Sequence, residues 1–207
     1  MTLVAISAAY GAGGSRVAPA VAERLQVPFL DRLIPLEVAE RLEVSVDDAA
    51  AHDDKMTGSW LERLLRGFAS GDAGMPNPLP SEALTAEDFR QATEDVLLTQ
   101  AATGEGVILG RGGAIVLRDD PRVLRVRLTG PVERRLRQAI DVEGVDPGAA
   151  ERALKQFDRT HSEYAKHFYG VDRDDPSLYH VMLDSTAISL DTCVELIVEA
   201  ALSHGVP

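Results

Sequence analysis

The stretch Ala8-Ala9-Tyr10-Gly11-Ala12-Gly13-Gly14-Ser15 holds the residues best suited to chemistry by type and spacing. Small side chains let a backbone approach an anion closely, consecutive N–H groups supply donors, and a following helix adds the positive end of its dipole. Against the phosphate-loop pattern G-x-x-x-x-G-K-[ST], Gly13 and Ser15 match, Ala8 replaces the first glycine and Gly14 replaces the lysine. The chemistry is anion binding by backbone. A tight strand-to-helix turn without a ligand accounts for the same residues.

Such a loop needs a strand before it and a helix after it. Thr2 to Ser7 is short, apolar and β-branched, as a buried parallel strand requires, and Val17, Ala18, Val21, Ala22 and Leu25 recur at helical spacing. Pro19 fits that helix only near its first turn. Further short apolar runs predict strands at Pro28–Asp31, Gly106–Leu109, Val123–Leu128 and His180–Asp184. Helical patterns lie between them, from Thr85 to Ala102, after Pro131, from about Ala149, and from Ser189 to Leu202. Strands alternating with helices predict a parallel sheet covered on both faces. The Gly- and Pro-rich texture within 45–80 predicts a mobile insertion.

Outside the loop, Arg111 stands between Gly110 and Gly112 after a predicted strand, where a guanidinium suits a planar anion or base edge. A cap or the partner of a surface carboxylate would also account for it, but its place after a strand end between glycines favours a ligand. Asp31 ends a predicted strand and could also cap the next helix, while Asp158 and Arg159 fit a solvated helical face. His161 and His167 are six apart, which does not place both imidazoles on one helix face, so metal ligation by histidine is rejected. Tyr164, Phe168 and Tyr169 read as helix packing. Arg125 and Arg127 alternate with apolar residues and predict an edge strand or a subunit contact.

With 207 residues, 45% hydrophobic, one domain with an ordinary core is expected. The net charge of −12 argues against nucleic-acid polymers and anionic membranes as partners, so any bound anion must meet a local basic site. Cys193 is the single cysteine, which excludes an internal disulfide and a multi-cysteine zinc site. The N-terminus lacks the basic and apolar regions of a signal peptide, and a cytoplasmic location is expected.

Three segments in order, ISAAYGAGGSRVAPAVAERLQVPFLDRLI, GVILGRGGAIVLRDDPRVLRVRLTGPVERRLRQ and LDSTAISLDTCVELIVEAAL, resemble the cytidylate kinase-like family of P-loop nucleoside monophosphate kinases. The resemblance implies an α/β, three-layer P-loop NTPase fold with a five-stranded parallel sheet, a helical acceptor-binding insertion at 45–80 and a short lid at 150–175. It implies ATP and Mg2+, with Gly11, Ala12, Gly13, Gly14 and Ser15 on the donor phosphates and the Ser15 hydroxyl on the metal. Asp31, Arg32 and Arg111 fall to the acceptor, CMP, dCMP or a similar small molecule. Arg16, Asp158, Arg159 and His161 fall to catalysis, with Lys166 as a further lid cation. A homodimer is among the expectations.

Gly112 stands where typical members carry aspartate, and His161 stands where they carry arginine. A His161 imidazole reaching the phosphates would make turnover improve as pH falls toward about 6.5. The second reading is a nucleotide-binding module without efficient transfer that acts through a partner.

Overall fold

The computed structural model describes residues 2–30 and 86–204. The elements are β1 (Leu3–Ala8), α1 (Gly14–Leu25), α2 (Ala86–Thr103), β2 (Gly106–Leu109), α3 (Gly113–Val116), β3 (Val123–Thr129), α4 (Val132–Glu143), α5 (Pro147–Tyr169), β4 (Val181–Asp184) and α6 (Leu190–Ser203). The strands form one parallel sheet in the order β2-β1-β3-β4, with Ser7 paired to Arg127 in the β1–β3 register.

Side chains alternate across this sheet and make two cores. One face carries Val4, Ile6, Val107, Val126 and Leu128 against Val17, Val21, Cys193 and Ile197 of α1 and α6. The other carries Leu3, Ala5, Ile108 and Val123 against Val96, Leu97, Ile115 and Ala165 of α2, α3 and α5. Both faces are covered, which is why β1 and β2 read as nearly continuous apolar runs.

The expected five strands are four among the described residues. At the remaining run, Phe29 makes one isolated parallel bridge to Val107, and Val107 N–H donates to Pro28 O at 2.9 Å. Pro28 has no N–H with which to extend a ladder. Beyond it, Leu30 fills the space over Gly106, where an added Cβ would lie 2.6 Å from a Leu30 methyl. Asp31, Arg32, Thr85 and the expected insertion at 45–80 lie outside the described residues.

A second correction concerns β3, which runs between β1 and β4 and is not an edge. Its polar face is engaged by protein acceptors, with Arg127 buried and Arg125 half-buried. Arg125 Nε donates to Leu178 O at 2.8 Å and Nη1 to Arg118 O at 2.8 Å, while Arg127 donates to Ser7 Oγ and Asp174 Oδ1.

The lid segment begins as one continuous helix. Asp146 caps α5 by accepting from Ala149 N–H at 2.9 Å, and Gly170 ends it at φ 66°. Tyr164, Phe168 and Tyr169 pack together, with Arg90 of α2 over the Phe168 ring, as helix packing predicts. None of the described helices is long and apolar enough to cross a membrane.

Candidate active site

The connection after β1 forms the floor of a cleft at the C-terminal ends of β1 and β2, the place where open parallel sheets bind ligands. Its backbone accounting is one-sided. Every carbonyl from Ala8 to Gly13 accepts a hydrogen bond: Ala8 O from Arg173 Nη2 at 3.1 Å, Ala9 O from Ala12 N–H at 3.1 Å, Tyr10 O from Arg135 Nη1 at 2.9 Å, Gly11 O from Gln138 Nε2 at 2.9 Å, Ala12 O from Ser185 Oγ at 2.8 Å, and Gly13 O from the N–H groups of Arg16 and Val17. The N–H groups of Gly11, Gly13, Gly14 and Ser15 meet no acceptor among the described residues. All four residues line the cleft.

Packing explains the small residues. A Cβ on Gly11 would stand 2.2 Å from the Arg135 carbonyl oxygen, and one on Gly14 would stand 2.5 Å from Ala8 Cβ. Gly13 caps α1 at φ 73°, in the left-handed region. Pro19 lies in the second turn of α1, where its missing N–H leaves the Ser15 carbonyl without its usual donor.

Arg111 forms the opposite wall. Gly110, Arg111 and Gly112 are consecutive left-handed residues at φ 74°, 56° and 69°, and Arg111 is only 3% exposed. A non-glycine residue in that conformation costs about 1 kcal/mol, and such strain clusters at sites of ligand contact. α5 supplies the third wall through Phe157, His161, Tyr164 and Ala165, which share one helix face.

Of the residues expected to act in catalysis, His161 alone lines the cleft. Its Nδ1 lies 2.8 Å from Phe157 O, and since a carbonyl only accepts, Nδ1 carries the proton. The ring stacks on Phe157 at 3.8 Å. Burial foremost, with the Arg173 guanidinium next, pushes its pKa down to about 3. The surroundings thus hold the imidazole neutral far below the unperturbed value of about 6.5 on which a gain in turnover with mild acidification depends. Asp158 pairs with the buried Arg135, Nη2 to Oδ2 at 2.7 Å. Arg159 is exposed and donates to Glu163 at 2.8 Å, and Arg16 is exposed on the first turn of α1.

Three buried arginines escape the sequence reading of the site: Arg127, Arg135 and Arg173. Arg127 showed only as half of a polar strand face and Arg135 only as a position in the helical pattern after Pro131. The sole local mark of Arg173 is a cation set among Asp172, Asp174 and Asp175 directly after the lid helix.

Several known proteins resemble this chain. A cytidylate kinase of Methanopyrus kandleri is 30% identical over 99 residues, 44% of this chain and 51% of that protein. A uronate isomerase of Corynebacterium glutamicum is 25% identical over 166 residues, 79% of this chain and 32% of that protein. The chain thus spans about half the length of the first and about a third of the second. Among solved structures, an uncharacterized protein from Eubacterium ventriosum superposes with a TM-score of 0.66 at 18% identity, covering 98% of this chain and 99% of that one. A sugar kinase from Janibacter sp. gives 0.50 at 18% identity, covering 99% and 96%. These structural likenesses speak for the fold. The family model for cytidylate kinase-like proteins matches residues 3–187, from the first strand through the glycine loop, the Arg111 turn and the last strand, and on that match the chain belongs to the cytidylate kinase-like family.

Proposed function

We propose that this chain transfers a phosphoryl group from ATP to a small acceptor, CMP or dCMP first among the candidates. The observation that carries the reading is the donor loop's backbone. Its carbonyls are all engaged by the protein, and its N–H groups at Gly11, Gly13, Gly14 and Ser15 are left on the cleft. Fixed N–H donors at a helix N-terminus attract phosphate oxygens without the lysine.

The exposed Ser15 hydroxyl on the cleft fits one ligand position of Mg2+, an ion that keeps most of its water, and Mg2+ would supply charge neutralisation on the donor phosphates. Arg111, which lines the cleft from a left-handed turn, takes the acceptor in this reading. Phosphoryl transfer needs positioning and charge compensation more than a protein nucleophile, and the cleft's polar groups are of that kind. Asp158 acts here through Arg135, which it orients against the loop. Arg16 and Arg159, both exposed, join only through a change in their present positions, and Asp31 and Arg32 complete the acceptor assignment.

ADP formation from ATP in the presence of CMP, dCMP, UMP, AMP or GMP, against a blank without acceptor, tests the reading. Acceptor-dependent ADP with CMP or dCMP preferred is expected. Tight ATP binding without turnover for any acceptor would select the nucleotide-binding module acting through a partner.

A further inference from the structure

Arg173 follows α5 and is 6% exposed, yet it lines the cleft. Among the described residues it makes one hydrogen bond, Nη2 to Ala8 O at 3.1 Å, and its guanidinium lies 5.8 Å from the centre of the Phe157 ring. The carboxylates whose charge acts on it, Asp174 and Asp158, are paired elsewhere. Asp174 Oδ1 is 2.6 Å from Arg127 Nη2, and Asp158 Oδ2 is 2.7 Å from Arg135 Nη2. No carboxylate among the described residues forms an ion pair with Arg173, and its remaining N–H groups meet no acceptor there. The segment is anchored from behind, because Tyr179 Oη donates to Arg173 O at 2.7 Å.

A buried cation without a counter-ion is costly unless an anion reaches it. Here desolvation first, then the neighbouring Arg127 cation, pushes the guanidinium pKa down to about 10, which still leaves it charged at neutral pH. Its one hydrogen bond fixes it at the base of the donor loop, against the carbonyl of Ala8. The beginning of that loop lacks the first pattern glycine, and its end lacks the pattern lysine. His161 beside it is neutral and brings no competing charge.

We propose that Arg173 is a phosphate-binding residue of the cleft, where its free N–H groups engage the terminal phosphate of the bound polyphosphate and supply the cation that neither the loop nor the cleft-lining face of the lid helix carries. The inference rests on the donor-loop reading above. The anion chemistry is that of a di- or triphosphate, and the arginine fork suits two oxygens of one phosphate.

The test is calorimetric binding of ATP, tripolyphosphate and adenosine to the full chain and to Arg173→Gln and Arg173→Lys, beside a wild-type NMR titration that follows the arginine Nε–H signal absent from the variants. Arg173→Gln is expected to weaken ATP and tripolyphosphate by roughly ten- to hundredfold, the scale of a charged hydrogen bond, and to leave adenosine unchanged. Arg173→Lys should recover part of that loss, and the wild-type signal should shift with tripolyphosphate but not with adenosine. Where Arg173→Gln fails to fold, the lysine variant and the wild-type titration decide. Unchanged tripolyphosphate affinity in a folded variant, or a signal that ignores tripolyphosphate, overturns the assignment while leaving the donor loop standing. Failure of wild type to bind either polyphosphate overturns both.

Discussion

Arg135 and Asp158 meet through Nη2 and Oδ2 at 2.7 Å, and the same guanidinium donates from Nη1 to Tyr10 O at 2.9 Å and from Nε to Gly130 O at 2.9 Å. One side chain on α4 therefore ties α5, the glycine loop and the turn after β3 together. Removing it leaves two backbone carbonyls without donors and a carboxylate without its partner. Arg135→Met is expected to destabilise the fold by about 3 kcal/mol or more, and Asp158→Asn by about 1–2 kcal/mol, because Asp158 keeps some solvent contact. Urea unfolding of both single variants and the double variant measures the coupling. Additive losses would show that the pair does not act as a unit.

The loop glycines should differ in tolerance. The strain of a left-handed alanine costs Gly13→Ala about 1–2 kcal/mol, and the Leu190 methyls 2.6 and 2.9 Å from the new Cβ can move aside. At Gly11 the obstacle is the Arg135 carbonyl, a backbone atom at 2.2 Å. Gly11→Ala is accordingly expected to cost more than Gly13→Ala and to disturb α4. Thermal melts rank the two, and equal losses would contradict the packing argument.

His161 makes a pH prediction. Its native pKa is depressed to about 3 by burial and by Arg173, below the unfolded value of about 6.5. The unfolded chain therefore binds more protons between these values, and stability rises with pH across that window. The imidazole's contribution is fully present above pH 6.5 and is lost as pH falls toward 3. Its slope cannot exceed about 1.4 kcal/mol per pH unit. Unfolding of wild type and His161→Gln between pH 4 and 8 should show a shallower acid limb in the variant. The same neutrality predicts that mild acidification does not raise turnover through His161, and a wild-type rate gain absent from His161→Gln would refute it.

Arg111 lines the cleft from a left-handed backbone, at the cost of local strain. Arg111→Ala keeps that strain and loses the contact. Acceptor affinity is expected to fall by about 1.5–3 kcal/mol while ATP affinity changes little. Comparing CMP and ATP titrations checks this, and parallel losses would move Arg111 into a structural role.

Local pattern was enough to read β1, the glycine loop and α1, because strand propensity, small residues and helical periodicity all act within a few residues. It also read the parallel α/β layering, three further strands and the packing of Tyr164, Phe168 and Tyr169, and the ordered motifs carried the family. It did not read Pro28, whose missing N–H reduces an expected strand to one bridge, nor the inner place of β3, since pairing order is a property of the whole sheet. The cation set was likewise beyond it. Arg127, Arg135 and Arg173 come from a strand, a helix and a loop, and only folding sets them beside Ser7, Tyr10 and Ala8. The charge state of His161 follows the same rule: residue type gives an imidazole that titrates near neutrality, and burial beside Arg173 decides that it stays neutral.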